Sequence, residues 1–451
     1  MAEEIGLQQQ LKESGGLIKM NSKKKVLIIA GALVGVLFAA IAIGVVSTKI
    51  VNAQSTYEDL RTFVDVLNVI KKNYVDEVKT KDLVSGAIKG MLSSLDPHSG
   101  YMSAEAFKEF QVETKGEFGG LGIQIGMKDN ILTVIAPIED TPAYKAGIKA
   151  GDKILKIDSE STKSMGIQDA VSKMRGPKGK PVILNIYREG WTEPKDFTIV
   201  RDIIKIKSVK AKMLQNDIGY IKLTQFQEMT SEDLAKALKE LKDKGMKSII
   251  LDLRNDPGGL LNSAVDVAGQ FLPAKKLVVY IKGRSGDKIE YFTEGDVPAY
   301  VDLPMVVLVN QGSASASEIV AGALKDWNRA VIVGVQTFGK GSVQTLIPLS
   351  DGSGLRLTTA KYYTPNGISI QNVGITPDIV VKLEAKDGKG MSVIREKDLE
   401  GHLRNEKNIE APIDVDKVPL EVEEKDDVQL QRAIDALKTW EVIEKISKKA
   451  A

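Results

Sequence analysis

The chain has no cysteine and only two histidines, His98 and His402, among its 451 residues. The first absence excludes thiol nucleophiles, disulfide staples and cysteine-based zinc sites. The second leaves any Ser-His-Asp triad or two-histidine metal site dependent on one or both of two residues. No metal and no cofactor are expected, and a base is to be sought among lysine, aspartate and glutamate. Excess charge is lacking as well. Lysine and arginine total 62 against 60 acidic residues, a net charge of +2. No global field then favours nucleic acid, and no nucleic-acid partner is expected.

What is present is a folded protein. The hydrophobic content of 43% and charged content of 27% are those of a globular chain, long enough for more than one core. One stretch is different. Residues 26–46 are uncharged and almost wholly apolar, long enough to cross a bilayer. Lys23, Lys24 and Lys25 precede them, so residues 1–25 are expected to stay in the cytoplasm and the remainder to be exported. Val51-Asn52-Ala53 resembles a signal cleavage site. The apolar run exceeds a usual signal core, which favours a retained transmembrane anchor. The expected location is the inner or cytoplasmic membrane, with the folded part in the periplasm or at the cell surface.

Residues 55–115 read as helical, with Phe63, Val66, Leu67 and Ile70 on one stripe and Leu83, Ile88 and Met91 on a second. Dimerisation through this region and plain packing on the main body both remain open. Residues 116–195 form a compact module. Its parts are a glycine-rich stretch, strand-like Ile131–Ala136, a helix carrying Ile167, Ala170, Val171 and Met174, and strand-like Val182–Arg188. From residue 196 to 385 strands alternate with helices, which implies a largely parallel sheet. The strands are expected at Gly219–Leu223, Ser248–Leu253, Met305–Val309 and Ala330–Val333, with Ser231 capping the helix of Leu234, Leu238 and Leu241. Residues 386–451 are a charged tail with a short amphipathic helix near Leu430–Leu437.

Three short segments carry candidate chemistry. Gln311-Gly312-Ser313-Ala314-Ser315-Ala316-Ser317-Glu318 follows a buried strand and opens a helix. A helix N-terminus offers free N–H groups to an oxyanion, so a serine here stands where a nucleophile would. It also stands where a simple helix cap would. Thr337-Phe338-Gly339-Lys340-Gly341-Ser342 nearly spells a phosphate-binding loop, but Gly341 replaces the required Ser or Thr, and strand-like Val343–Ile347 follows in place of a helix. The other functional reading is a desolvated, neutral lysine able to deprotonate a serine, against the plainer one of a solvated surface charge. Arg254-Asn255-Asp256-Pro257-Gly258-Gly259 ends one strand and starts another helix on the same sheet edge.

Together these segments resemble the carboxyl-terminal processing peptidases, or tail-specific proteases. The resemblance runs from Tyr57 to Val381. It adds Leu95-Asp96-Pro97-His98-Ser99, Phe118-Gly119-Gly120-Leu121-Gly122 and Gly374-Ile375-Thr376-Pro377-Asp378 to the segments above. It implies an α/β protease core with a crotonase-like sheet, an inserted PDZ domain, an N-terminal helical region and one transmembrane helix. It implies Ser315 as nucleophile, Lys340 as base, Gln344 orienting Lys340, and oxyanion donors at Gly258 and Ala316. Phe118, Gly119, Gly120, Leu121 and Gly122 would form the PDZ loop that takes a peptide carboxylate, with the following strand pairing to the peptide. Arg175 would couple that module to the protease. The expected partners are substrates with free C-termini, an activating adaptor or peptide at the PDZ, and a second copy in a homodimer. The other classes considered are an inert membrane-tethered PDZ scaffold and an acyl-CoA enzyme on the crotonase-like sheet, which an exported location disfavours.

Overall fold

The computed structural model describes residues 57–295, 300–383, 391–406, 417–418 and 426–450. The apolar stretch 26–46 lies outside them. Among the described residues no helix is long and apolar enough to cross a membrane. The chain divides into two compact units, Met1–Ala87 and Ile88–Ala451. The described part of the first holds helix α1 (57–73) and the start of α2 (Thr80–Ser93). On α1, Phe63 and Val66 of the expected stripe are exposed.

In the second unit, β1 (Gly100–Met102) leads into α3 (Ala104–Lys115). Ser103 caps α3 by accepting the Ala106 N–H, and left-handed Gly116 ends it. Then follow β2 (Glu117–Gly120), β3 (Ile123–Lys128), β4 (Ile131–Pro137), α4 (Pro142–Lys145), β5 (Lys153–Ile157), β6 (Glu160–Ser161), α5 (Ile167–Met174), β7 (Pro181–Tyr187), β8 (Lys195–Val200) and β9 (Asp202–Lys205). One antiparallel sheet runs in the order β3-β4-β5-β7-β8, with β6 beside β5. Alternating inward residues such as Val182, Leu184 and Ile186 of β7 close its core with Leu132, Val134 and Ile154. This leaves β3 as a terminal strand.

The larger core begins at β10 (Val209–Leu214) and β11 (Ile218–Leu223). After them come α6 (Thr230–Asp243), β12 (Ser248–Asp252), α7 (Leu261–Gly269), β13 (Leu277–Gly283), β14 (Lys288–Phe292), β15 (Met305–Val309), α8 (Ala316–Asp326), β16 (Val331–Gly334), β17 (Ser342–Pro348), β18 (Gly354–Tyr363), β19 (Ile379–Val380) and α9 (Val428–Ala450). The main sheet runs β10-β11-β12-β15-β16-β19, and every pair from β11 onward is parallel. All residues of β12 and β15 are buried, as a parallel sheet covered on both faces requires. Leu234, Leu238 and Leu241 of α6 pack with α7 and α8 in one core cluster. Leu430, Ala433 and Leu437 of α9 pack in another, with Ile250, Val306 and Leu308. Each such fully buried side chain contributes about 1.5–3 kcal/mol.

Two expectations need correction. Ser231 lies inside α6, because that helix starts at Thr230 after Met229. Thr230 Oγ1 accepts the Gln227 N–H at 2.9 Å and meets Ser208 Oγ at 2.7 Å, tying the helix start to the residue just before β10 instead. The charged tail is also part of the fold. Arg254 binds Asp427 through two nitrogens at 2.8 Å, and α9 covers one face of the main sheet. The largest element not expected is a second, antiparallel sheet in the order β1-β18-β13-β14, with β17 also on β18.

Candidate active site

The three serines at the junction of β15 and α8 are used differently. Ser313 Oγ donates to Leu253 O at 2.8 Å, and Ser317 Oγ donates to Asp256 O at 2.9 Å. Both are fully buried and serve the packing of this loop on the 253–256 turn. Ser315, between them, lines an open cleft. Its backbone has φ 57° and ψ −112°, a conformation costing about 1–3 kcal/mol for a residue with a Cβ. Such strain turns the side chain out at the helix start. The next residue, Ala316, opens α8 and so carries an N–H with no carbonyl partner inside the helix.

Glu318 joins this loop to the lysine loop. It is fully buried, and its Oε2 accepts the Ser315 N–H at 2.8 Å and the Lys340 N–H at 3.0 Å. Its Oε1 accepts the Gly339 N–H at 2.7 Å and the Thr337 hydroxyl at 2.6 Å. One carboxylate therefore sets the backbones of both candidate catalytic residues. Sequence reasoning missed this role, although the Ser315-x-x-Glu318 spacing of a capping box was there to find. Tyr362, on β18, donates its hydroxyl to Lys340 O and was also missed. No local pattern could have found it.

Ser315, Lys340 and Gln344 line the same cleft, of about 600 Å³, with Phe226, Gly258, Arg356 and Tyr362. Burial pushes the Lys340 amine below its ordinary pKa and Arg356 adds to that, while Glu396, Glu318 and Asp96 pull it back. Gln344 Nε2 donates to Ser342 Oγ at 2.9 Å and Thr358 Oγ1 at 3.4 Å. That orientation leaves Oε1 as the acceptor an ammonium needs. Gly258 is beside Ser315: a Cβ on it would lie 2.8 Å from Ser315 Cβ, and its φ of +97° suits glycine alone. However, its N–H is donated to Asp256 Oδ1 at 2.9 Å. The expectation of Gly258 as an oxyanion donor is corrected to that extent: in this conformation only Ala316 of the pair has its N–H available.

The PDZ segment departs further from expectation. Phe118, Gly119 and Gly120 belong to β2 and pair with Ile204, Ile203 and Asp202 of β9. Only Leu121 and Gly122 connect β2 to β3. Gly119 is glycine for close packing, since a Cβ there would lie 2.1 Å from Gly176 O. Arg175, at the end of α5, forms an ion pair with Glu109 of α3 and places its guanidinium 4.5 Å from the Phe118 ring centre. Helix α3 supplies Phe110, Glu113 and Thr114 to the cleft wall. Arg175 thus reaches the helix that borders the cleft, without itself lining it.

Burial pushes both the Asp256 and the Glu318 carboxyl up to about 7, against hydrogen bonds that pull each down. An acid whose pKa is higher folded than unfolded holds its proton better when folded. Its stabilising contribution is complete below the unfolded value, 3.8 for Asp256 and 4.5 for Glu318, and is lost as pH rises to about 7. Asp256→Asn should therefore flatten the fall in unfolding free energy between about pH 5 and pH 7 by about 1–2 kcal/mol, read by urea denaturation at both values. An unchanged slope would mean that Asp256 does not titrate there.

The chain matches known proteins over most of its length. The model of the activating protease CtpB N-terminal domain matches residues 40–106, that of the PDZ domain residues 133–188, and that of peptidase family S41 residues 217–381. The carboxy-terminal-processing protease of Bartonella bacilliformis is 45% identical over 428 residues, covering 92% of this chain and 96% of that protein. The carboxy-terminal processing protease CtpB of Bacillus subtilis is 40% identical over 319 residues, 70% of this chain and 66% of that protein. Among solved structures, a photosystem II D1 C-terminal processing protease is 30% identical, covers 71% of this chain and 92% of its own, and superposes with a TM-score of 0.42. The protein is thus a serine peptidase built from an S41 core and a PDZ domain. It belongs to the carboxy-terminal-processing proteases of peptidase family S41.

Proposed function

We propose that Ser315 and Lys340 form the catalytic dyad of an endopeptidase that cleaves exported proteins near their C-termini. The observation that carries this reading is the shared clamp: Glu318 accepts the N–H of both residues where they face one cleft. Lys340, its pKa lowered by burial, takes the proton as Ser315 Oγ attacks the scissile carbonyl carbon. The oxyanion forms beside the Ala316 N–H at the start of α8, with the glycine loop at 258–259 bordering it. Collapse breaks the C–N bond, and Lys340 returns the proton to the departing amine. Water, deprotonated by Lys340, then hydrolyses the acyl-enzyme and regenerates Ser315. Gln344 Oε1 holds the lysine amine toward the serine.

In the same reading the PDZ module binds a substrate or adaptor C-terminus by adding a strand to β3. Arg175 passes that occupancy through Glu109 to α3 and the cleft. Residues 26–46 anchor the chain in the membrane with the protease outside, and two copies associate. One experiment tests the core of this. An unfolded reporter protein, with and without an apolar C-terminal tail, is incubated with wild type, Lys340→Ala and Arg175→Gln. Lys340→Ala should lower the cleavage rate by at least ~10³-fold. Arg175→Gln should cleave both reporters at one rate. Cleavage by Lys340→Ala near the wild-type rate would refute the dyad, and retained tail dependence in Arg175→Gln would refute the coupling. Retention of the full chain in carbonate-washed membranes checks the anchor, and sedimentation of the detergent-solubilised protein checks the dimer.

A further inference from the structure

The far side of the lysine loop is held by Gln371 and by Glu396, which lies beyond the S41 match ending at 381. Glu396 is fully buried. Its backbone N–H donates to Phe338 O at 3.2 Å, two residues before Lys340. Its Oε1 accepts from Gln371 Nε2 at 2.9 Å, and Gln371 Oε1 in turn accepts the Gly341 N–H at 2.9 Å, one residue after Lys340. The other oxygen, Oε2, lies 2.7 Å from His98 Nε2. His98 is itself fixed: its N–H donates to Asp96 Oδ1 at 2.8 Å, and its carbonyl accepts Arg356 Nε at 2.9 Å. Glu396 and Gln371 thus hold the backbone that carries the amine, and Glu396 links it to His98 and through the His98 carbonyl to Arg356.

Charge follows the same layout. The charged groups acting on Lys340 are Arg356 from β18, which opposes its ammonium form, and Glu396, Glu318 and Asp96, which favour it. Glu396 is the foremost of the three. Tyr362 and His98 join the surround through Lys340 O and Glu396 Oε2 respectively, and Glu113 lines the same cleft. Glu318 already spends its two oxygens on four donors of the clamp.

We propose that Glu396 is a positioning residue for Lys340. Its carboxylate holds the lysine loop through Gln371 and supplies the negative charge that the ammonium meets when it forms. This deepens the dyad and rests on Lys340 being the base. During attack the amine gains a proton and becomes positive. A buried carboxylate placed in advance lowers the energy of that state, as fixed charges do wherever charge develops in a transition state. Arg356 acts in the opposite direction and, after burial, adds to the lowering of the amine's pKa. The two charges therefore bias the lysine in opposite senses.

Glu396→Gln separates charge from shape. The amide oxygen can still accept from Gln371, and the amide N–H can still meet His98 once the ring carries its proton on Nδ1. Two changes are expected together. The plateau of kcat should fall by about tenfold. The acid limb of kcat/KM should move to lower pH by about half a unit or more, because the ammonium loses its strongest favourable neighbour. A merely structural role would lower the plateau without moving the limb, and that result, or a wild-type profile, overturns the proposal. If Glu396→Gln does not fold, as judged by its thermal melt, Glu396→Asp withdraws the carboxylate by one methylene. It should shift the limb the same way by a smaller step, and an unmoved limb there is equally fatal. Lys340→Ala runs in parallel. Activity in that variant removes the dyad and this inference with it. An inactive Lys340→Ala beside an unshifted Glu396→Gln removes only the role of Glu396.

Discussion

Ser315→Ala should lower the rate of reporter cleavage by at least ~10⁴-fold while leaving the fold intact. The size follows from the proposed chemistry, in which the Ser315 hydroxyl forms the acyl-enzyme that splits the reaction into two easier steps. The intact fold follows from geometry. The Glu318 clamp takes the backbone N–H of Ser315, which alanine keeps. The neighbouring serines provide the control. Ser313→Ala and Ser317→Ala each lose a buried hydroxyl bond to a backbone carbonyl, at about 1 kcal/mol. Both should melt earlier and still turn over. Mass spectrometry of the cleaved reporter together with thermal melts distinguishes the three variants. Substantial turnover by Ser315→Ala, or loss of turnover in Ser313→Ala at a temperature where it is folded, would move the nucleophile elsewhere.

Glu318→Ala should be the most damaging change that touches no substrate. It removes four hydrogen bonds whose donors remain buried, the N–H groups of Ser315, Gly339 and Lys340 and the Thr337 hydroxyl. At about 1 kcal/mol each, less the relief of no longer burying a carboxyl, the net loss of stability is about 2–4 kcal/mol. Activity should fall further than stability explains, by ~10²-fold or more, because the serine and lysine loops lose their common reference. Glu318→Gln tests the same point at constant volume. One end of its amide must turn an NH₂ toward N–H donors, so it should also lose activity. Urea denaturation and single-turnover cleavage of both variants give the two quantities. A Glu318→Gln protein with wild-type stability and rate would show that the clamp does not align the pair.

The readable parts of the fold share one property: their partners are close in sequence or their burial is complete. Met305–Val309 is an unbroken apolar run and Ser248–Asp252 is one between polar ends, and a parallel strand covered on both faces needs nothing else. The helix of Leu234, Leu238 and Leu241 declares itself by spacing. Strands β13, β14 and β18 do not. Lysines interrupt them and they are only partly buried, as the KIEYF of β14 illustrates. Their identity depends on pairing with each other and with β1, which is more than 250 positions from β18. The stretch expected as the PDZ loop is partly strand for a related reason. Three of its residues are strand because β9, far along the chain, lies beside them.

The amino-acid sequence by itself narrowed the chemical repertoire. Without cysteine and with two histidines, it left serine and lysine as the economical pair, and its motifs marked Ser315 and Lys340. Local patterns also placed the serine at a strand-to-helix turn, since apolar run, small residues and helix spacing are all short-range properties. Only the tertiary structure decided what surrounds that pair. Glu318 reaches the lysine loop, Tyr362 holds the Lys340 carbonyl, and Glu396 ties Gln371 and His98 to the same backbone. It also turned the Gly258 N–H toward Asp256 and the tail into a wall of the core. Desolvation and hydrogen bonding depend on distance in space, and a one-dimensional pattern carries neither.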